Sequence, residues 1–436
     1  MTSKGLNLEN IPSLHIPLRF FNTAPWLGAT ASVLLAINGE LTTQWSPMLL
    51  AATHLFTLGF MAMIMLGALF QVLPVISGRQ IPGKFKLATL VHTSLFTGTL
   101  LLAWAFISGQ QTYFYLMITF LGTSFVSFLF ALGSVLIHKI AGGHSITAIK
   151  LAVLSLLLTV LFGVLKVLGY LYPNSLPAFI SSQSFSYLHM LWGVSGWLLL
   201  LVIAVSFQVI PMFHVTPNYH AVISKYLPFV LFTGLVITNF YVIKLVQNLG
   251  VFLVCASAFS YALYSLILLS KRRRKVPDMT VNCWRLALTS LISTSLILCF
   301  SNINEMSGGL LRIDQMKVNI LIGIFMLIGF ACSVIIGMQY KIVPFLIYMH
   351  LQRDCGSDFE KIQKLPTMHT ILPVRRAKIQ FKLQLLSLIT LIISLFFPAA
   401  SLLSALILFS NFTFLGYSIF SASKLYVEYK SILTHA

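Results

Sequence analysis

Three histidines stand inside long apolar runs of this 436-residue chain: His54, His92 and His189. An ionisable side chain at membrane depth is costly, and such residues usually serve function. A neutral imidazole binds iron or copper through a ring nitrogen. Two of them on facing helices can clamp a haem iron from opposite sides. His54 and His189 enter their runs from the same end, the first about 10 Å deep at ~1.5 Å per residue. His92 starts from the opposite end and cannot easily join them. A second reading stays open, in which each histidine simply hydrogen-bonds a neighbouring helix. The other eight histidines, among them His15, His214, His220 and His350, are read as loop residues.

The surroundings of the pair fit either reading. Gly193 and Gly196 follow His189 at helical spacing and leave room for a flat ring or for close packing. Met61 and Met65 follow His54 on its face as soft packing residues. Lys166, Lys244 and Lys317, with Arg312, fall toward the same end as the pair and lack evident carboxylate partners. Haem propionates would suit them as anions, and snorkelling to the interface would also account for them. All nine acidic residues lie in loops or near helix ends. That counts against a proton-driven antiporter, which needs an acid within the membrane. No phosphate-binding glycine loop, Ser-His-Asp set or metalloprotease helix is found, so nothing suggests hydrolysis. The five cysteines form no CxxC pair and no haem-attachment motif.

The elements that must position these groups follow from composition. The chain is 58% hydrophobic and 8% charged, with a mean hydropathy of +0.92. Twelve apolar runs are long enough to cross a bilayer as helices: 20–38, 47–76, 86–107, 111–137, 146–171, 184–213, 221–246, 248–270, 280–301, 316–346, 377–398 and 400–423. The fold class is therefore all-α integral membrane, with lipid as the first partner. The net charge of +19 does not imply nucleic acid, because the basic residues fall in alternate loops. Arg79, Lys84, Lys86, Lys139, Lys225, Lys271–Lys275, Arg353, Lys361, Lys364, Arg375 and Arg376 mark one side. By the positive-inside rule that side, with both termini, is cytoplasmic. The first 20 residues show no cleavable signal layout, and the expected location is a bacterial inner membrane.

One phrase recurs about every 135 residues: Phe70-Gln71-Val72-Leu73-Pro74, Phe207-Gln208-Val209-Ile210-Pro211 and Tyr340-Lys341-Ile342-Val343-Pro344. Fifteen residues before each proline stands a glycine: Gly59, Gly196 or Gly329. A fixed-period match of this kind predicts three four-helix pseudo-repeats, about 1–140, 141–275 and 276–436. The phrase is expected to close helices 2, 6 and 10. Gln71, Gln208 and Lys341 share one repeat position, either facing a common interior or snorkelling to the interface.

Twelve helices in three arcs, with histidines on helices 2 and 6, resemble subunit I of the haem-copper oxidases. A closer resemblance is to the NnrS-type membrane haem- and copper-containing proteins, tied to nitric-oxide stress. His54-Leu55-Phe56-Thr57-Leu58-Gly59 with Leu66-Gly67 resembles that family's H-x-x-T-x-G segment, and Pro74 to Arg79 its Pro-x-x-x-Gly-Arg helix end. The resemblance implies an oxidase-like scaffold with haem or copper on His54 and His189, in nitric-oxide or respiratory physiology or cofactor assembly. Respiratory or assembly membrane proteins would be its partners. The histidines that oxidases carry on helices 7 and 10 are missing, so a full haem-plus-copper reduction centre is not expected. Two alternatives remain: a permease gated by Gln71, Gln208 and Lys341, and a non-catalytic assembly subunit.

Overall fold

The computed structural model describes residues 12–138, 143–240, 243–276, 278–308, 311–356 and 358–435. Lys139 of the loop charges named above lies outside them. Twelve helices are long and apolar enough to span a bilayer: α1 His15–Asn38, α2 Pro47–Ser77, α3 Phe85–Ser108, α4 Gln111–Leu136, α5 Gly143–Leu171, α6 Gln183–His214, α7 Ala221–Thr238, α8 Lys244–Ser270, α9 Met279–Met306, α10 Gln315–Cys355, α11 Val374–Phe396 and α12 Pro398–Leu433. No strand occurs among the described residues. Twelve crossings bring both chain ends to one face, called here the terminal face; the opposite one is the distal face. Bulky apolar side chains such as Trp104, Phe130 and Leu245 point outward from the bundle. That exterior suits lipid, where the hydrocarbon solvates them.

The three helices that carry the recurring phrase form the interior. Of the apolar window in each, 78% is buried for α2, 61% for α6 and 72% for α10, against at most 56% in any other. Each begins at the distal face with a side-chain cap that satisfies a free N–H of the first turn. Ser46 accepts from Leu49 N at 3.2 Å, Ser182 from Phe185 N at 3.3 Å, and Asp314 from Met316 N at 3.1 Å. Around them α3 packs on α4, α7 on α8 and α11 on α12, while α4 meets α5, α8 meets α9 and α12 meets α1. The last contact closes the bundle on itself. Asn22 donates to Ser423 Oγ across it at 2.9 Å, and the Phe412 ring lies against Gly28.

Each interior helix is also widened at one place. Leu55–Ala62, Trp192–Leu199 and Ile324–Cys332 wind as π-helix, and each stretch ends twelve residues before the phrase proline. Such wide turns forfeit regular i→i−4 bonding and concentrate at functional sites. Inside each stands the glycine singled out by spacing, where the preceding helix comes close. A Cβ on Gly59 would fall 2.8 Å from Leu27 Cβ of α1, on Gly196 2.8 Å from Ser155 Cβ of α5, and on Gly329 2.7 Å from Ser290 Cβ of α9. In lipid, small residues of this kind set helix contacts.

Several boundaries differ from the hydropathy reading. The phrase ends α2 and α6 within three residues of the proline, but α10 continues past Pro344 to Cys355. α12 likewise runs on well beyond residue 423. α7 stops at Thr238 because Asn239 turns its amide back onto the Leu235 and Val236 carbonyls, at 2.9 and 3.1 Å. Its Oδ1 accepts from Trp192 Nε1 of α6 at 3.2 Å, which holds that turn in place. His15, His144, His214 and His350, read as loop residues, lie in helices, and His214 and His350 are buried.

Candidate functional site

The distal half of the bundle is hollow. A cavity of about 1510 Å³ lies among the distal ends of the helices, bounded by both His54 and His189. That exceeds the ~300–1,000 Å³ of an ordinary small-molecule pocket. Its wall is apolar over most of its extent, including Phe106, Phe114, Met61, Met65, Trp197 and Met326.

The two imidazoles come together as their depth predicted. Their ring centres are 6.3 Å apart and their planes lie within 15° of parallel. Each is held by Nδ1. His54 Nδ1 donates to the Leu50 carbonyl one turn back on α2, at 2.8 Å, and His189 Nδ1 donates to the Thr159 carbonyl of α5, at 3.0 Å. A carbonyl only accepts, so Nδ1 carries the proton and a neutral ring keeps its lone pair on Nε2. This is how protein ligands to metals are usually oriented, the outer N–H bonded to a carbonyl and the inner nitrogen left to bind. Neither Nε2 has a hydrogen-bond partner among the described residues. The seat of His189 is made by a glycine: a Cβ on Gly163 would lie 3.0 Å from its Cε1. Phe106 flanks His54 at 5.1 Å between ring centres.

This donor set fits one class of metal group. Two metal–nitrogen bonds of ~2 Å, extended to the ring centres, put two opposed imidazoles about 6 Å apart. No cluster of three or more His, Cys, Asp or Glu side chains occurs among the described residues. A tetrahedral zinc-type site is therefore not built here. Haem brings four nitrogens of its own and asks the protein for only two axial ligands, which is what His54 and His189 can offer.

The remaining predicted residues divide. Lys166 and Lys244 line the cavity, whereas Lys317 is exposed and does not. Neither cavity lysine is unpartnered, contrary to the sequence reading. Lys244 pairs with Glu305 at 2.9 Å, a carboxylate near the distal end of α9. Lys166 donates to the Ser181 and Ser182 carbonyls, both at 3.1 Å. Gln71, Gln208 and Lys341 lie in the terminal half and none borders the cavity. Gln71 is buried with its Oε1 unpaired, and Gln208 is half-buried. Lys341 is no free gate, because Asp278 pairs with it at 2.7 Å with both side chains only about a quarter exposed. Burial works against the Asp278 carboxylate, but Lys341 and the Thr280 N–H and O–H outweigh it and hold the carboxyl below its ordinary range. His92 stays apart, bonded to Thr23 Oγ1 at 2.9 Å and edge-on to Phe20.

Sequence reasoning missed Thr159, Gly163 and Tyr187. The Tyr187 hydroxyl accepts from Gln44 Nε2 at 2.9 Å and Asn319 Nδ2 at 3.2 Å, joining α6 to the start of α2 and to α10 at the cavity rim. Only its place two residues before His189 pointed to it. The chain matches no protein-family model, and no curated protein matches its sequence.

Proposed function

We propose that this protein is a haem-binding membrane protein of the haem-copper oxidase subunit I-like, NnrS-like kind, with His54 and His189 as axial ligands. The observation that carries the reading is the pair itself: two Nδ1-anchored imidazoles, 6.3 Å apart, in one wall of a large apolar cavity. A bound haem would supply electron transfer or diatomic-ligand chemistry. The chain's own contribution is to fix both imidazole tautomers, exclude water with aromatic and methionine side chains, and present cations to an acidic group. Among the described residues the cavity brings together two histidines and no third, which favours a role in nitric-oxide or respiratory physiology without oxidase turnover. A single copper ion held by the two imidazoles is the smaller version of the same site.

The recurring phrase, the three π-helical stretches and the four-helix rhythm of packing support a pseudo-threefold scaffold built from three related units. Basic residues gathered at the terminal face support cytoplasmic termini in a bacterial inner membrane.

The test is an absorption spectrum and metal analysis of the purified protein. A Soret band with about one iron per chain is expected, lost in the His54→Ala, His189→Ala double variant. Protein devoid of haem and metal after expression with both supplied, or a spectrum the double variant leaves unchanged, overturns the reading.

A further inference from the structure

The distal rim holds a cation without an anion. Among the described residues that line the cavity, Lys244 has its carboxylate in Glu305, but the Lys166 ammonium is met only by two backbone carbonyls. Those carbonyls belong to Ser181, the last residue of the short helix Ala178–Ser181, and to Ser182, the cap of α6. The segment they anchor, 172–182, lies on the outside of the bundle, with Pro173 and Ser181 forming part of the cavity wall. It is a strap across the distal mouth. Tyr172 meets the Tyr115 hydroxyl of α4 at 2.8 Å, Phe179 packs edge-on against Phe185 of α6, and Ser181 Oγ donates to the Gly169 carbonyl at 3.3 Å, where the missing side chain of Gly169 lets the strap sit close.

Tyr187 of α6 borders the same cavity. Its oxygen already accepts two amide N–H bonds, and its own proton has no protein acceptor among the described residues. Carbonyls are poorer partners for an ammonium than a carboxylate, since the charge-assisted pair is roughly twice as strong. An anion reaching the rim would therefore draw Lys166 off the strap.

The geometry points to a latch: the cavity takes an apolar molecule bearing a carboxylate, and that carboxylate replaces the Ser181 and Ser182 carbonyls on Lys166, accepts from Tyr187, and frees the 181–182 turn while Tyr172 and Phe179 hold the rest of the strap. This deepens the proposed function, since haem is such a molecule, but the latch requires no metal. It rests only on the cavity being a binding site.

Metal-free protoporphyrin IX and its dimethyl ester separate the two ideas, measured by fluorescence titration of the full chain in nanodiscs. The diacid is expected to bind at least about tenfold tighter than the diester. Lys166→Gln removes that preference, Lys166→Arg restores most of it, and Tyr187→Phe weakens diacid binding several-fold. Hydrogen exchange at the amides of 181–182 rises on adding diacid and not diester. In the His54→Ala, His189→Ala variant overall affinity shifts with the reshaped cavity, but the acid-over-ester ratio and its loss in Lys166→Gln are expected to persist, so failure of the histidine reading is seen separately. Oleate and its methyl ester form a second arm, and a Lys166-dependent preference for either acid supports the latch with that body as occupant. Equal affinity for acid and ester in both arms, or a Lys166→Gln variant that keeps the preference while retaining α-helical circular dichroism, overturns it.

Discussion

The α2–α6 side of the bundle and the α10–α11–α12 side are built from the same kind of helix and finished in opposite ways. The distal part of α10 borders the cavity, but from Ile328 toward the terminal face the interior around it is filled. The Ile328 carbonyl, within the π-helical stretch, accepts from Gln384 Nε2 at 2.7 Å. Gln384 Oε1 accepts from Asn411 at 2.7 Å, Asn411 also bonds Gln380, and the Tyr340 hydroxyl lies within hydrogen-bonding distance of Ser418 Oγ at 3.0 Å and Gln380 Oε1 at 3.3 Å. That ladder ties three helices together with nearly every polar atom paired, as a buried network in hydrocarbon must be. Around α2 and α6 the corresponding space is open, and among the polar groups bordering it the two imidazole Nε2 atoms and Trp197 Nε1 have no protein partner among the described residues. One side is closed and structural; the other is left unsatisfied, which is how a site awaiting a ligand is distinguished from packing.

The comparison can be broken most severely at the histidines. If the proposed haem is held by the pair, changing either His54 or His189 alone to alanine is expected to abolish the spectrum of a bis-histidine haem, while the ligand-free protein keeps its helical circular dichroism. Next is Gly163→Val, which puts two methyl groups where the His189 ring sits. Overpacking of that kind costs about 1–3 kcal/mol, and haem content in purified protein should fall sharply while His54 keeps its bond to Leu50. The opposite signature belongs to Gln384→Leu. It strands the Ile328 carbonyl and the Asn411 amide and should cost about 1–2 kcal/mol in a denaturant or thermal assay, with the haem spectrum intact. If Gln384→Leu lost haem and kept its stability, the division between the two sides would be wrong.

The smallest expected effect is at the terminal face. Asp278 has its carboxyl lowered by Lys341 and Thr280. A carboxyl lowered in the folded state contributes stability above the unfolded value near ~4, and that contribution fades as pH falls through the folded value. Unfolding midpoints of the native protein should therefore drop below about pH 4 more steeply than those of Asp278→Asn. At neutral pH the variant should be weaker by about 1 kcal/mol, as for a partly screened pair.

Most of the scaffold was legible because lipid imposes a simple demand: a spanning segment must be long, apolar and helical. Twelve runs answered to that rule, and the similar entry depths of His54 and His189 from one face are matched by the 6.3 Å between their rings. Hydropathy failed where chain direction is set by one side chain. Nothing apolar ends at Thr238; a single amide at Asn239 does the work, inside a stretch that includes Phe240 and Ile243. The partner of Lys341 was missed because Asp278 is a loop residue 63 positions away. The seat of His189 was hidden for a similar reason. Thr159 and Gly163 lie on the preceding helix, and no local pattern links a glycine there to an imidazole on the next crossing. The π-helical stretches have no sequence mark beyond the glycine spacing, which close packing would explain equally well.

The contact of α1 with α12 makes a seam in the bundle beside the histidine helix. Phe412 of α12 rests on Phe56 and Phe60 of α2, and Gly28 of α1 leaves room for its ring. A smaller side chain at Phe412 would therefore loosen α2 from outside the cavity, and reach the His54 helix through packing alone.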